Sequence, residues 1–303
     1  MTATLDHCDL VGSGTTTGAT SQVRRCDEWG RAQADSGTDA RIEVLIPTCD
    51  RPAELAVTLS GLAAQLDADF DVVVSDQSQR PAAEEPAVSA MVGLLRAQGR
   101  EVRLVRNLPK RGMAQQRHRL LTLSTADSVL CLDDDVWLEP GTVARMDAAL
   151  TSAGCGFVGS AVQGLSFLDD RRPSEWGGFE EWEGPVEPET PRSSDESQRW
   201  RLHNAANLSH IAADSGYTVS DPRLYHVDWI GGCVLFDRAS LLHSGGFEFW
   251  ERLPADHVGE DVYCQRQVMD RFGGAGLIPS GAVHLESPTT LTERDCEVSE
   301  CLD

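Results

Sequence analysis

Lysine is all but missing from this 303-residue chain: Lys110 is the only one, and arginine supplies the other basic side chains. The formal net charge is −22. That balance excludes the broad basic surface that nucleic-acid phosphates require, and it disfavours adsorption to anionic lipid. A small anionic ligand is compatible with it only where a metal or a local basic cluster offsets the field. No run approaches the roughly 18 apolar residues of a membrane span. The opening residues, MTATLDHCDLVGSG, carry neither the basic nor the apolar segment of a secretion signal, so a cytoplasmic protein is expected. No CxxC pair occurs among the nine cysteines, whose number is odd. They read as reduced thiols, several of them, such as Cys131 and Cys233, packing as small hydrophobes inside apolar runs. There is no internal repeat.

What is present is a regular alternation. Residues 1–40 are rich in Thr, Gly, Ser, Ala and Asp, lack periodicity, and are expected to be a disordered extension. After them 41% hydrophobic content leaves ample material for a core in one large domain or two small ones. Ile42–Ile46 reads as a strand stopped by Pro47. A helix over 52–66 follows, with Leu55, Leu59, Leu62 and Leu66 at helical spacing, Pro52 in its first turn and Asp50 as its cap. Strands over 70–76, 101–107 and 128–132 then alternate with helices over 86–99, 112–125 and 139–154. Such alternation predicts an α/β fold with a mainly parallel central sheet flanked by helices, and sheets of this kind bind ligands beyond the carboxyl ends of their strands. Residues 164–227, acidic and holding Trp176, Trp182 and Trp200, are expected to be long loops. Order returns with a strand and short helix in VDWIGGCVLFDRASLL and a helix over 259–274 burying Val262, Arg266, Met269 and Phe272, and it closes with a strand in 275–288.

The stretch SVLCLDDDVWLEPG ends a buried strand on three adjacent carboxylates, Asp133, Asp134 and Asp135. Like charges so close raise one another's pKa, and a positive partner is required. A hard divalent cation takes oxygen ligands, often one or two carboxylates completed by water and phosphate; the plainer alternative is a solvated acidic helix start. A strand followed by DxD also opens the haloacid-dehalogenase-like phosphohydrolases, but those place it on the first strand and need a later lysine. Here other strands precede it and Lys110 lies upstream.

The blocks VLIPTCDRPAELAVTLSGL, DVVVSDQS, VRNLPKRGMAQQRHRLL and VLCLDDDVWLEPG, followed by DWIGGCVLFDRASLLHSGGF, GEDVYCQR and AVHLES, together resemble family 2 glycosyltransferases over residues 41–287. The resemblance implies a GT-A-like, Rossmann-type nucleotide-diphospho-sugar transferase fold. It implies a nucleotide-binding half over 41–140, an acceptor half over 141–290 and a short tail over 291–303. It further implies an inverting, metal-dependent enzyme moving sugar from a UDP-, GDP- or dTDP-sugar to an acceptor hydroxyl, with Mn²⁺ or Mg²⁺ as cofactor.

Residue by residue, it sets Thr48, Asp50 and Arg51 at the base and ribose, and Asp76 on the base. Arg117 falls near the ribose or diphosphate. Asp133 and Asp135 form the DxD, with Asp135 on the metal and Asp133 or Asp134 reaching ribose. His284 completes the metal site. Glu260 and Asp261 are the catalytic carboxylates, Asp261 being the base, which the helix dipole would keep ionised. SDQS departs from the family's commoner Asp-Gly-Ser ending, at Gln77. A nucleotidyltransferase on a similar fold, or a non-catalytic nucleotide-sugar binder, are the competing classes. The former usually needs a glycine-rich first loop, which IPTCDRP lacks.

Overall fold

The β-branched run before Pro47 forms strand β1, Ile42–Thr48, every residue of it buried. The structure is a computed structural model and describes residues 28–29, 42–66, 68–190, 197–289 and 296–302. Contrary to expectation, Pro47 does not stop the strand. On one side β1 pairs only as far as Leu45, opposite Cys131; on the other the Thr48 carbonyl accepts from the Gln77 N–H. Backbone groups alternate sides along a strand, so the N–H that Pro47 lacks faces a side with no partner to lose.

Helix α1, Pro52–Ala63, starts on its proline and buries Leu55, Leu59 and Leu62. Its cap position is Arg51, not Asp50. Asp50 instead sits in the left-handed region at φ 56°, where its carboxylate accepts from the Gln79 N–H. The alternation continues through β2 (Phe70–Asp76), α2 (Pro86–Ala97), β3 (Val102–Arg106), α3 (Met113–Leu123), β4 (Ser128–Leu132), β5 (Val136–Leu138) and α4 (Thr142–Ala153). Then come β6 (Phe157–Gly159), β7 (Gln163–Gly164), α5 (Asn207–Ser215), β8 (Arg223–Tyr225), β9 (Cys233–Asp237), α6 (Arg238–His243), β10 (His257–Val258), α7 (Glu260–Phe272), β11 (Gly274–Ile278), β12 (Ala282–His284), β13 (Cys296–Glu297) and α8 (Val298–Leu302).

The main sheet has eight strands in the order β3-β2-β1-β4-β9-β6-β11-β8. The first four run parallel, as do β6 and β11, while β9 is antiparallel to both its neighbours. Alternate residues feed two cores. Val44, Ile46, Val72, Val74, Leu130 and Leu132 face one; Leu45, Val73, Val129 and Cys131 face the other. Both faces of the sheet are therefore covered, as a parallel sheet demands.

Three expectations need correction. Part of 164–227 is ordered: α5 forms there, and β8 adds to the main sheet against β11, with Tyr225 fully buried. Three-residue strands are too short to leave a periodic signal. Helix α7 buries Cys264, Gln265, Val268 and Met269, so its inward stripe runs beside Val262 and Arg266. Finally, Cys296 and Cys301 are joined as a disulfide, whereas Cys131, Cys155, Cys233 and Cys264 are free and buried. The described part of the C-terminal tail is built in: β13 pairs with β10. The expected disorder of 1–40 lies outside the described residues except at Glu28 and Trp29, and Trp29 packs partly buried against the core. Among the described residues no helix is long and apolar enough to cross a membrane.

Candidate active site

The carboxyl ends of β1, β2 and β4 meet at one rim, because Thr48 is in register with Asp76 across β1 and β2 and β4 runs parallel beside them. The three aspartates follow β4 directly, and each has its own cationic or hydroxyl partner. Arg117 Nη2 is 2.8 Å from Asp133 Oδ1. The Thr48 hydroxyl donates to Asp134 Oδ2 at 2.7 Å, and Arg51 Nη1 lies 3.5 Å from its other oxygen. Arg51 Nη2 donates to Asp135 Oδ2 at 2.6 Å. Burial pushes Asp134 up to about 7, against the opposing pull of Thr48 and Arg51. Asp135 is buried too, but hydrogen bonds and charge from His284 and Arg51 hold it below the usual carboxylate range.

His284 reaches Asp135 because β12 pairs with β5 in a register that sets it opposite Val136. Its Nε2 is 3.3 Å from Asp135 Oδ2, and its Nδ1 accepts from the Glu286 N–H at 3.0 Å. The ring proton therefore sits on Nε2 and points at the carboxylate. Asp133 turns the other way, toward Arg117. The expected metal-side residues are thus divided: Asp135 and His284 converge, Asp133 does not join them. Among the described residues no group of three or more His, Cys, Asp or Glu side chains is placed to hold a metal ion. The donor chemistry that is present, one carboxylate with an imidazole beside it, fits a hard cation that takes its other ligands from phosphate and water.

Arg117 also reaches across to the start of α7, where its Nε donates to Glu260 Oε1 at 3.1 Å. A single buried guanidinium thus joins the DDD turn to the Glu260–Asp261 pair, and both carboxylates raise its pKa against burial. Asp261 is the free member of the pair: among the described residues its carboxylate accepts only from the adjacent Val262 N–H, at Oδ1. Burial, and then the Glu260 charge, raise it to about 7. The helix dipole therefore does not keep Asp261 strongly ionised; desolvation outweighs it.

Asp76 is 2% exposed. Its oxygens accept from the N–H groups of Ser78 and Ala82, each at 2.8 Å, and from Arg106 Nη1 at 2.6 Å. Burial alone would raise this acid, but those bonds hold it low. Asp76 thereby shapes the 78–82 loop, one wall of a cavity of about 220 Å³ whose other wall is Asp50 and Pro52. The Asp50 N–H donates to the Ser78 hydroxyl across that gap at 2.8 Å. Arg106 was not singled out in the sequence, although its register opposite Asp76 follows from pairing two adjacent parallel strands. Gln77, at the SDQS departure, turns inward to Gln115 on α3.

The profile of the family described as Glycosyl transferase family 2 matches residues 43–209, more than half of the chain. No curated protein sequence matches. Among solved structures, the mannosyltransferase PcManGT from Pyrobaculum calidifontis, in complex with GDP-Man and Mn²⁺, superposes with a TM-score of 0.54 at 17% identity, over 88% of this chain and 64% of that one. S. aureus TarS 1-349 gives 0.50 at 15% identity over 80% and 60%, and its complex with UDP-GlcNAc gives 0.51 at 14% over 83% and 60%. At such identity the likeness is one of fold, and the chain spans 60–64% of the length of these structures.

Proposed function

We propose that this chain, which belongs to glycosyl transferase family 2, transfers a sugar from a nucleotide-diphosphate donor to an acceptor hydroxyl with inversion at the anomeric carbon. The observation that carries the reading is the Arg117 bridge. It sets a free carboxylate, Asp261, beside the DDD turn at the rim where parallel sheets bind ligands.

The donor class is a nucleoside diphosphate sugar of the UDP, GDP or dTDP type; two of the solved structures named above are complexes with GDP-Man and with UDP-GlcNAc. The base lies in the cavity between Asp50 and the loop tied by Asp76, and the ribose lies by Thr48 and Asp134. Arg51 and Arg117 hold positive charge beside the diphosphate in a chain otherwise strongly acidic. Asp135, with His284 once its ring proton is carried on Nδ1 instead of Nε2, would hold a divalent cation, Mn²⁺ or Mg²⁺, which would supply Lewis-acid neutralisation of the leaving diphosphate.

Asp261 accepts the proton of the acceptor hydroxyl as its oxygen attacks the anomeric carbon from the face opposite the departing phosphate. The carbon–oxygen bond to the diphosphate breaks in the same step, through an oxocarbenium-like centre. A carboxyl group raised to about 7 is well matched to this role: a large share of it is ionised near that pH, and the carboxylate is basic enough to take the proton. Incubating the chain with UDP-glucose, UDP-GlcNAc, GDP-mannose and dTDP-glucose, and following nucleoside diphosphate release, tests the class. Release of nucleoside monophosphate or pyrophosphate would instead mark a nucleotidyltransferase or phosphohydrolase.

A further inference from the structure

We propose that Gln265 is a positioning residue for Asp261: its carboxamide clamps helix α7 to the backbone of Ile230 and so fixes Asp261 against the Gly231–Gly232 turn bordering Asp133. The inference rests on the assignment of Asp261 as the base.

Gln265 is 1% exposed. Its Oε1 accepts from the Ile230 N–H at 2.8 Å, and its Nε2 donates to the Ile230 carbonyl at 2.7 Å. Ile230 precedes β9, so its backbone lies outside the strand ladder. Buried backbone groups need partners, and here one side-chain amide satisfies both in the manner of a neighbouring strand. Asp261 and Gln265 are four residues apart and share one face of α7. At the other end of the clamp, the Gly232 carbonyl accepts from the Asp133 N–H at 2.9 Å, with Gly232 in the left-handed region at φ 75°.

Two struts therefore join the base to the DDD turn. One is ionic, Asp133 to Arg117 to Glu260; the other is neutral, Asp133 to Gly232 and Ile230 to Gln265. Asp261, Gln265, Gly232 and Arg117 line one small space of about 10 Å³, room for about one water molecule. A helix held by both struts has little slack; with one released, Asp261 can swing while Asp135 and the nucleotide cavity stay in place. Misplacing a catalytic group by about 1 Å costs on the order of 10²-fold in rate, so the neutral strut is worth roughly ten- to a hundredfold in kcat.

The test compares wild type, Gln265→Met, Asp261→Asn and the double variant as full chains. Turnover is read as nucleoside diphosphate release from UDP-glucose, UDP-GlcNAc and GDP-mannose with water as acceptor, and UDP and GDP affinities by calorimetry. Methionine keeps the length and loses both hydrogen bonds. The expected result is a kcat lowered about ten- to a hundredfold with nucleotide Kd unchanged within about twofold, and a double variant no slower than Asp261→Asn alone, because Gln265 acts through that carboxylate. Unchanged kcat in Gln265→Met, or effects that multiply in the double variant, overturn the positioning role while leaving Asp261 as base. Normal turnover in Asp261→Asn overturns both. Should the methionine variant not fold, Gln265→Glu keeps the acceptor for the Ile230 N–H and adds a second carboxylate beside the base. Its pH profile should then move upward relative to wild type, and an unmoved profile overturns the proximity on which the inference stands.

Discussion

Arg117 donates through Nε to Glu260 over 3.1 Å, and both side chains of this ion pair are buried. The same guanidinium reaches Asp133 through Nη2, so it bridges the halves of the candidate site. Removing one partner of a buried pair leaves an uncompensated charge, typically at a cost of about 3–5 kcal/mol. Arg117→Met is therefore expected to lose about that much stability, read by chemical denaturation. A lysine cannot span two acceptors through a planar fork, so Arg117→Lys should recover only part of it. A loss under about 1 kcal/mol in the methionine variant, the range of exposed pairs, contradicts the bridge.

The cation reading makes its own demand. UDP and GDP should bind at least about tenfold more weakly in EDTA than with Mn²⁺ or Mg²⁺, a difference of about 1.4 kcal/mol. Asp135→Ala should bind no more tightly with the metal than without it. Calorimetric titrations in the three media decide this. Equal affinity throughout would mean that Arg51, already 2.6 Å from Asp135, is the positive partner of this carboxylate without a metal.

The parallel half of the sheet was legible in the sequence because each strand–helix unit carries a long periodic signal and its own punctuation: Pro52 opens α1, and Gly154 closes α4 in the left-handed region. The site rim followed, since Asp76 ends a strand and Asp50 and Asp133–Asp135 come just after strands. Partners separated by long stretches of chain were not legible. Arg117 and Glu260 are 143 residues apart, and nothing local in either helix announces the other. The side on which α7 packs was misread for a related reason. The stem of Arg266 was taken as packing inward and Gln265 was not considered, whereas Gln265 is inside because Ile230 supplies its hydrogen bonds. Burial also reversed the expectation for Asp261, because desolvation depends on tertiary packing and the helix dipole alone does not.

Trp29 packs against the core cluster that contains Val44 and Leu59. Trp29→Ala should therefore lower stability by about 1–2 kcal/mol, in line with partial burial of a large apolar side chain. Thermal or urea unfolding measures it. No change would show that the indole contributes nothing to the stability of the fold.

Asp261 gives a pH dependence of definite sign. It faces Glu260, Arg117 and Asp133, and the neighbouring Cys131 thiol, pushed up to about 11 by burial, is neutral near pH 7. An acid whose folded pKa is raised from 3.8 to about 7 costs the native state stability as pH climbs through that window, because the unfolded chain gives up the proton more readily. Asp261→Asn should accordingly raise Tm at pH 8 and change it little at pH 4. In wild type, turnover should rise about tenfold per pH unit below 7 and level off above it. A flat profile from pH 5 to 8 contradicts a base titrating there.

The most direct test is turnover of Asp261→Asn beside wild type, with nucleotide affinity measured on the same preparations. Asparagine keeps the size of the side chain but cannot take the proton. General-base loss costs about 10²–10⁴-fold in rate, far beyond the effect of about 1 kcal/mol from a weakened helix start. The predicted result is a kcat reduced within that range with UDP or GDP affinity unchanged. Turnover within a few-fold of wild type would contradict the assignment of Asp261 as the base, and with it the mechanism proposed for this site.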